Sequence, residues 1–111
     1  MLKSLGIGYR ARLLISGEEF VIDGIRKNKV YLVFLANDAS DNSKKKILDK
    51  AKYYNVEVIL DYSSEELSSA IGKGNRMVIG ITSQKFASSL LKKRWLIWLK
   101  RIKMKENQIF R

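Results

Sequence analysis

Seven residues, Val30 to Ala36 (VYLVFLA), run without a charge and are rich in Val, Leu, Tyr and Phe. Such a run reads as a strand covered on both faces, because a strand wet on one side would alternate apolar with polar residues. Helices must then pack on each side of its sheet, which confines the chain to a layered α/β architecture. The run ends at Asn37-Asp38, a turn pair, and passes through Ser40 into a basic segment containing Lys44-Lys45-Lys46. A strand's carboxyl end thus meets a helix N-terminus. Open α/β sheets bind ligands at that edge, and the free backbone N–H groups of a helix start attract anions.

The remaining periodicity repeats this unit. Leu2 to Ala11 spaces Leu2, Leu5 and Tyr9 for one helical face, Leu13 to Ile15 reads as a very short strand, and Ser16-Gly17-Glu18-Glu19 opens a second helix ending near Asn28. Helix three begins after Ser40, carries Ile47, Ala51 and Tyr54 at helical spacing, and ends at Asn55, before the strand Val56 to Leu60. Ser63 and Glu66 have capping-box spacing, so helix four starts there and stops at Gly72. Arg76 to Thr82 is a fourth strand and Ser83 opens the last helix. This alternation predicts a three-layer α/β/α sandwich, with right-handed crossovers wherever neighbouring strands are parallel, and the fold expected is such a sandwich with a mixed four-stranded sheet and an extended C-terminal helix.

The chain has 22 Lys plus Arg against 11 Asp plus Glu, a net charge of +11 over 111 residues. That imbalance favours a polyanionic partner. There is no cysteine and no histidine, which removes thiolate chemistry, the commonest metal ligand and the commonest neutral-pH base. No nucleophile, base and orienting group can be assembled from the carboxylates that remain, so no enzyme, metal or organic cofactor is expected. The first residues carry too short an apolar run for a signal peptide, and no stretch of about 18 apolar residues occurs, so a cytoplasmic location is expected.

The landmarks Ser16-Gly17-Glu18-Glu19, Ile25-Arg26-Lys27, Leu32 to Lys46, Tyr53-Tyr54 and Glu65-Glu66-Leu67 followed by Ala70-Ile71-Gly72-Lys73 jointly resemble a known family. It is the kink-turn RNA-binding superfamily of archaeal and eukaryotic large-subunit ribosomal proteins, and within it the small bacterial YlxQ-like branch. The likeness covers about Leu5 to Lys93. It implies a structured RNA, ribosomal or another kink-turn RNA, as partner, with the ribosome as a natural setting and no DNA. It also implies that RNA is gripped by the loop entering helix two, the turn after the second strand and the loop before the last strand. Those are Ser16 to Glu19, Ala36 to Asp38 and Gly72 to Arg76 here. Bulged RNA is read by shape, by bonds to splayed base edges and by charge on flanking phosphates, which suits such loops.

On this basis the candidate RNA-binding residues are Arg10, Arg12, Ser16, Gly17, Glu18, Glu19, Arg26, Lys27, Asn37, Asp38, Lys45, Gly72, Lys73, Asn75 and Arg76. Gly17 lets backbone approach RNA closely, and Glu18 or Glu19 can accept bonds from guanine edges. Plainer roles stand beside these. The two glutamates suit a helix's first turn, Asp38 can form the turn and cap helix three, and Lys44 to Lys46 can be a solvated helical face. Helix two also departs from the ribosomal pattern, with Glu19-Phe20 and Asp23 where an Asn-Glu pair and a following Lys are usual.

The resemblance stops near Lys93, dividing the chain into a domain over 1–93 and a basic extension over 94–111. Between Lys92 and Arg111 there are eight cations and one anion, Glu106, a net +7 of the chain's +11. Leu91, Trp95, Trp98, Leu99 and Ile102 fall within one helical stripe, with Lys93, Lys100 and Arg101 opposite. Three uses compete: docking on the chain's own core or a partner protein, RNA contact with tryptophan stacking, and, least favoured, an anionic membrane surface. The alternative to RNA binding is therefore an interaction adaptor working through this helix.

Overall fold

The computed structural model describes the backbone of residues 1–109 and the side chains of residues 1–101. Helices α1 (Leu2–Arg10), α2 (Glu18–Arg26), α3 (Asp41–Tyr53), α4 (Ser64–Ile71) and α5 (Gln84–Ile109) alternate with strands β1 (Leu14–Ser16), β2 (Leu32–Leu35), β3 (Glu57–Ile59) and β4 (Val78–Ile81). The strands form one sheet in the order β1-β4-β2-β3. β2 and β3 are parallel, while β4 runs antiparallel to both of its neighbours, so the sheet is mixed.

The two central strands explain the layering. All four residues of β2 and all four of β4 are buried. Helices α2 and α3 pack together on one face and α1, α4 and α5 on the other. α1 and α4 approach closely because Gly6 lacks a side chain: a Cβ there would lie 2.7 Å from the Ala70 carbonyl oxygen. The core joins Leu5, Val21, Ile25, Phe34, Ile47, Ile59, Leu67, Ile79 and Leu90 from both layers.

Local rules set most helix ends. The Ser40 hydroxyl accepts the Ser43 N–H at the start of α3, and Asn55 takes the left-handed conformation (φ 58°) beyond its end. At α4 the Ser63–Glu66 capping box is complete, and Gly72 closes the helix at φ 71°. Several boundaries move from the expected ones: β2, β3 and β4 shorten to Leu32–Leu35, Glu57–Ile59 and Val78–Ile81, β1 shifts by one residue to Leu14–Ser16, and α1 ends at Arg10. α2 ends at Arg26, and before β2 Tyr31 is exposed but still donates its N–H to the Ile81 carbonyl (2.9 Å), while Val30 stays in the core.

Candidate nucleic-acid interface

The carboxyl ends of β1, β2 and β3 and the amino end of β4 lie along one edge of the sheet, since Ser16 and Phe34 both face Ile79 and Phe34 also faces Ile59. Each helix that follows one of those carboxyl ends, α2, α3 and α4, therefore starts there and directs its positive dipole end to the same edge. Backbone hydrogen bonds tie the connecting segments into a belt. Gly17 N–H donates to the Val78 carbonyl (3.0 Å), Ala36 N–H to the Met77 carbonyl (2.8 Å) and Asn37 N–H to the Tyr62 carbonyl (2.9 Å).

Gly17 is the N-cap of α2 at φ 106°, a conformation that side-chain-bearing residues rarely adopt. It turns the chain sharply enough to set Glu18 and Glu19 in the first turn. Glu18 is half-buried: its Oε2 accepts a long bond from the Ser43 hydroxyl (3.4 Å), and its Oε1 is buried without a partner among the described residues. Glu19 projects into solvent. Across the belt the Ser68 hydroxyl accepts the Arg76 N–H (2.8 Å) and donates to the Arg76 carbonyl (3.2 Å), which fixes the backbone of the loop entering β4. The Arg76 Nε is also buried without a partner among the described residues. A buried acceptor and a buried donor thus stand unpaired on the same edge, the kind of exception that a polar ligand would satisfy.

Asp38 serves a different helix from the one its position suggests. Its carboxylate accepts the Ser64 N–H and the Ser64 hydroxyl, both at 2.8 Å, so it ties the β2–α3 turn to the start of α4, while Ser40 caps α3. The Ser64 N–H, and after it the Ser64 hydroxyl, hold the Asp38 carboxyl below the usual carboxylate range. The unfolded chain therefore takes up this proton first as pH falls. The stabilisation is complete above the ordinary carboxylate pKa of about 3.9 and is lost as pH drops through the lower folded value. Asp38→Asn is expected to be less stable than the unaltered chain at pH 7, with the difference closing under acid conditions. Urea midpoints measured from pH 7 down to pH 2 check this, and a gap that persists at pH 2 would refute it.

Ser16, Gly17, Glu18, Glu19, Asn37, Asp38 and Arg76 converge on this edge, and Lys45 lies exposed early in α3 beside it. The exposed turn Gly72 to Asn75 leads into Arg76, with Asn75 left-handed (φ 53°) and the Lys73 ammonium 5.9 Å from the centre of the Tyr9 ring. Gly72 and Lys73 instead close α4, the helix that starts at this edge, and Lys73 lies against the last turn of α1; four further residues of the expected set are not brought here. Arg10 and Arg12 precede β1, where Leu13 meets Thr82 at the other end of the sheet, roughly 13 Å from Gly17 along the strand. Arg26 and Lys27 close α2 at that same far end, and Lys27 is paired with Asp23 (3.0 Å). Their charge belongs to a different surface because α1 and α2 both run along the strands.

No local pattern marks Ser43, Ser64 and Ser68, whose partners are remote or backbone. Phe20 does have one. It falls outside the Val21, Gly24 and Ile25 stripe that faces the sheet, and it is 71% exposed beside Gly17. Of the paired tyrosines, Tyr54 packs against the core and Tyr53 stands in solvent edge-on to it.

A mixed sheet between two helical layers, with three helix starts on one loop edge, is the architecture of a family of ribosomal and related proteins. The chain belongs to the ribosomal protein L7Ae/L30e/S12e/Gadd45 family, which it matches over residues 3–91, and lies on its YlxQ-like branch. It is 47% identical over 83 residues to the RNA-binding protein YlxQ of Enterococcus faecium, covering 75% of this chain and 80% of that one. Against the RNA-binding protein YlxQ of Bacillus subtilis (strain 168) the identity is 44% over 87 residues, 78% of this chain and 87% of the relative. Among solved structures, a protein of unknown function from Bacillus halodurans C superposes with a TM-score of 0.79 at 40% identity, covering 82% of this chain and 92% of the other. The Giardia lamblia 15.5kD RNA binding protein superposes with a TM-score of 0.70 over 83% of this chain and 82% of its own, and at 17% identity it shows the fold alone.

Proposed function

We propose that this chain is a non-enzymatic, cytoplasmic RNA-binding protein that recognises a kink-turn or similarly bulged RNA, with ribosomal RNA and the ribosome as its setting. The carrying observation is the loop edge itself. The Gly17 turn, the exposed Glu19 and the unpaired Glu18 Oε1 offer acceptors, and the unpaired Arg76 Nε and the exposed Lys45 offer a donor and a cation, over one surface. Such a surface suits splayed bases and crowded phosphates better than the uniform groove of a duplex. The names of the YlxQ relatives point the same way. Among the described residues no group of side chains could hold a metal ion, and no helix is long and apolar enough to cross a membrane.

The test is a gel-shift titration at two salt concentrations against a kink-turn RNA and an equally long duplex without the bulge. The bulged RNA is expected to bind more tightly, and the Gly17→Val, Glu19→Ala double variant to lose that preference. Glu19→Ala alone, at an exposed position that leaves the Gly17 turn intact, is expected to weaken bulged-RNA binding roughly tenfold if the carboxylate accepts from a base edge. Equal, salt-labile binding of both RNAs would reject the proposal.

A further inference from the structure

The long helix α5 carries a surface that the loop edge does not account for. β4 runs away from the loop edge and α5 returns antiparallel to it, so the helix heads back towards that edge. Two polar contacts add to the burial of Ala87 and Leu90 in holding its first half to the body of the protein. The Lys93 ammonium donates to the Ser4 hydroxyl (2.9 Å), and the Arg94 guanidinium forms a two-pronged pair with Asp61 (3.1 and 3.3 Å). Asp61 adjoins Tyr62, whose carbonyl receives the Asn37 N–H, so α5 joins the body next to the loop belt.

Immediately beyond, Trp95, Leu96, Ile97 and Trp98 are 56%, 52%, 47% and 50% exposed. The two indoles stack on one another, with ring centres 4.9 Å apart and planes 24° from parallel. They border a groove of about 860 Å³ shared with Asp61, Tyr62, Arg94 and Arg101. The structure therefore sets Arg101 beside the tryptophans rather than opposite them, and Lys100 is exposed on the next turn. Ile102, assigned to the same stripe from the sequence, lies outside the residues whose side chains are described.

We infer that Trp95 and Trp98, with Arg101 and Lys100, form a second RNA contact that stacks unpaired nucleotides flanking the structured RNA held at the loop edge. The inference rests on the reading of that edge as an RNA site. Aromatic platforms beside cations bind single strands because every base has a face to stack and every nucleotide a phosphate to neutralise. Two other occupants fit worse. A second copy would bring together two segments that each carry +7 between Lys92 and Arg111. A bilayer needs one apolar face, whereas four successive apolar residues on a helix point over about 300°. RNA needs only the side that Trp95 and Trp98 share.

These are the chain's two tryptophans, so intrinsic emission reports on this surface. The full chain is titrated with a kink-turn hairpin, with and without a single-stranded extension of about eight nucleotides at either end, a length within the range of single-strand sites. The extension is expected to quench the emission and tighten binding about tenfold. Trp95→Ala with Trp98→Ala is expected to abolish that gain while leaving the unextended hairpin bound as before; Trp98→Ala alone retains one emitter. If the extension changes neither affinity nor emission, the inference is wrong. It is equally wrong if emission responds to phosphatidylglycerol vesicles and not to single strands. Quenching by the isolated single strand, when bulged and control hairpins bind alike, would uphold this contact while rejecting the loop-edge reading.

Discussion

Phe34→Ala is expected to destabilise the protein by about 3–5 kcal/mol, the usual cost of emptying a buried phenylalanine site. Phe34 heads the fully buried side chains by volume, lies in a central strand between two helical layers, and has its ring 6.3 Å from that of Tyr62. The surroundings have little room to collapse, because β2 is hydrogen-bonded on both sides and cannot shift without breaking its register with β3 and β4. Domains of this size are commonly stable by about 5–15 kcal/mol, so the loss is a large share of the total. Urea unfolding followed by circular dichroism should show a lower midpoint with an unchanged slope, the mark of lost stability without a changed unfolded state. A cost below about 1 kcal/mol would mean that the two layers are less tightly packed than the structure shows.

The largest effect on binding is expected from salt. If the loop edge and α5 together neutralise about six phosphates, affinity should fall on the order of a thousandfold between 50 and 200 mM salt. Individual cations make this a test of place as well as of charge. Lys45→Ala and Arg76→Ala should each reduce the slope of log affinity against log salt by about one, whereas Arg26→Ala should leave it unchanged, because Arg26 lies at the far end of α2. A slope that falls equally for all three would mean that the whole basic surface binds diffusely. A slope near zero would remove electrostatics from the account.

These two experiments probe different kinds of information in the chain. The burial of Phe34 could be read from Val30 to Ala36, because an uninterrupted apolar run is intelligible only as a strand with cover on both faces. The allotment of cations between site and far surface could not. Arg10, Arg12, Arg26 and Lys27 carry the same charge as Lys45 and Arg76, and what separates them is the direction in which α1, α2 and the strands cross the molecule.

The local rules were written in neighbouring residues. The Ser63–Glu66 box, the Ser40 cap, Asn55 and Gly72 depend on hydrogen bonds or dihedral angles within one helical turn, so their residue types were sufficient to place them. The three-layer sandwich likewise followed from alternating strand and helix segments. The strand order β1-β4-β2-β3 did not, since it depends on which hydrophobic faces find one another after collapse. Asp38 is the clearest instance of the divide: its turn was evident, but its partner Ser64 lies 26 residues away, and only the parallel pairing of β2 with β3 brings the start of α4 beside it. The joining of Glu18 to Ser43, of Asn37 to Tyr62 and of Arg94 to Asp61 has the same origin. Short-range preferences are paid in backbone geometry and can be read residue by residue, whereas the interface is assembled from segments whose proximity is a property of the packed sheet.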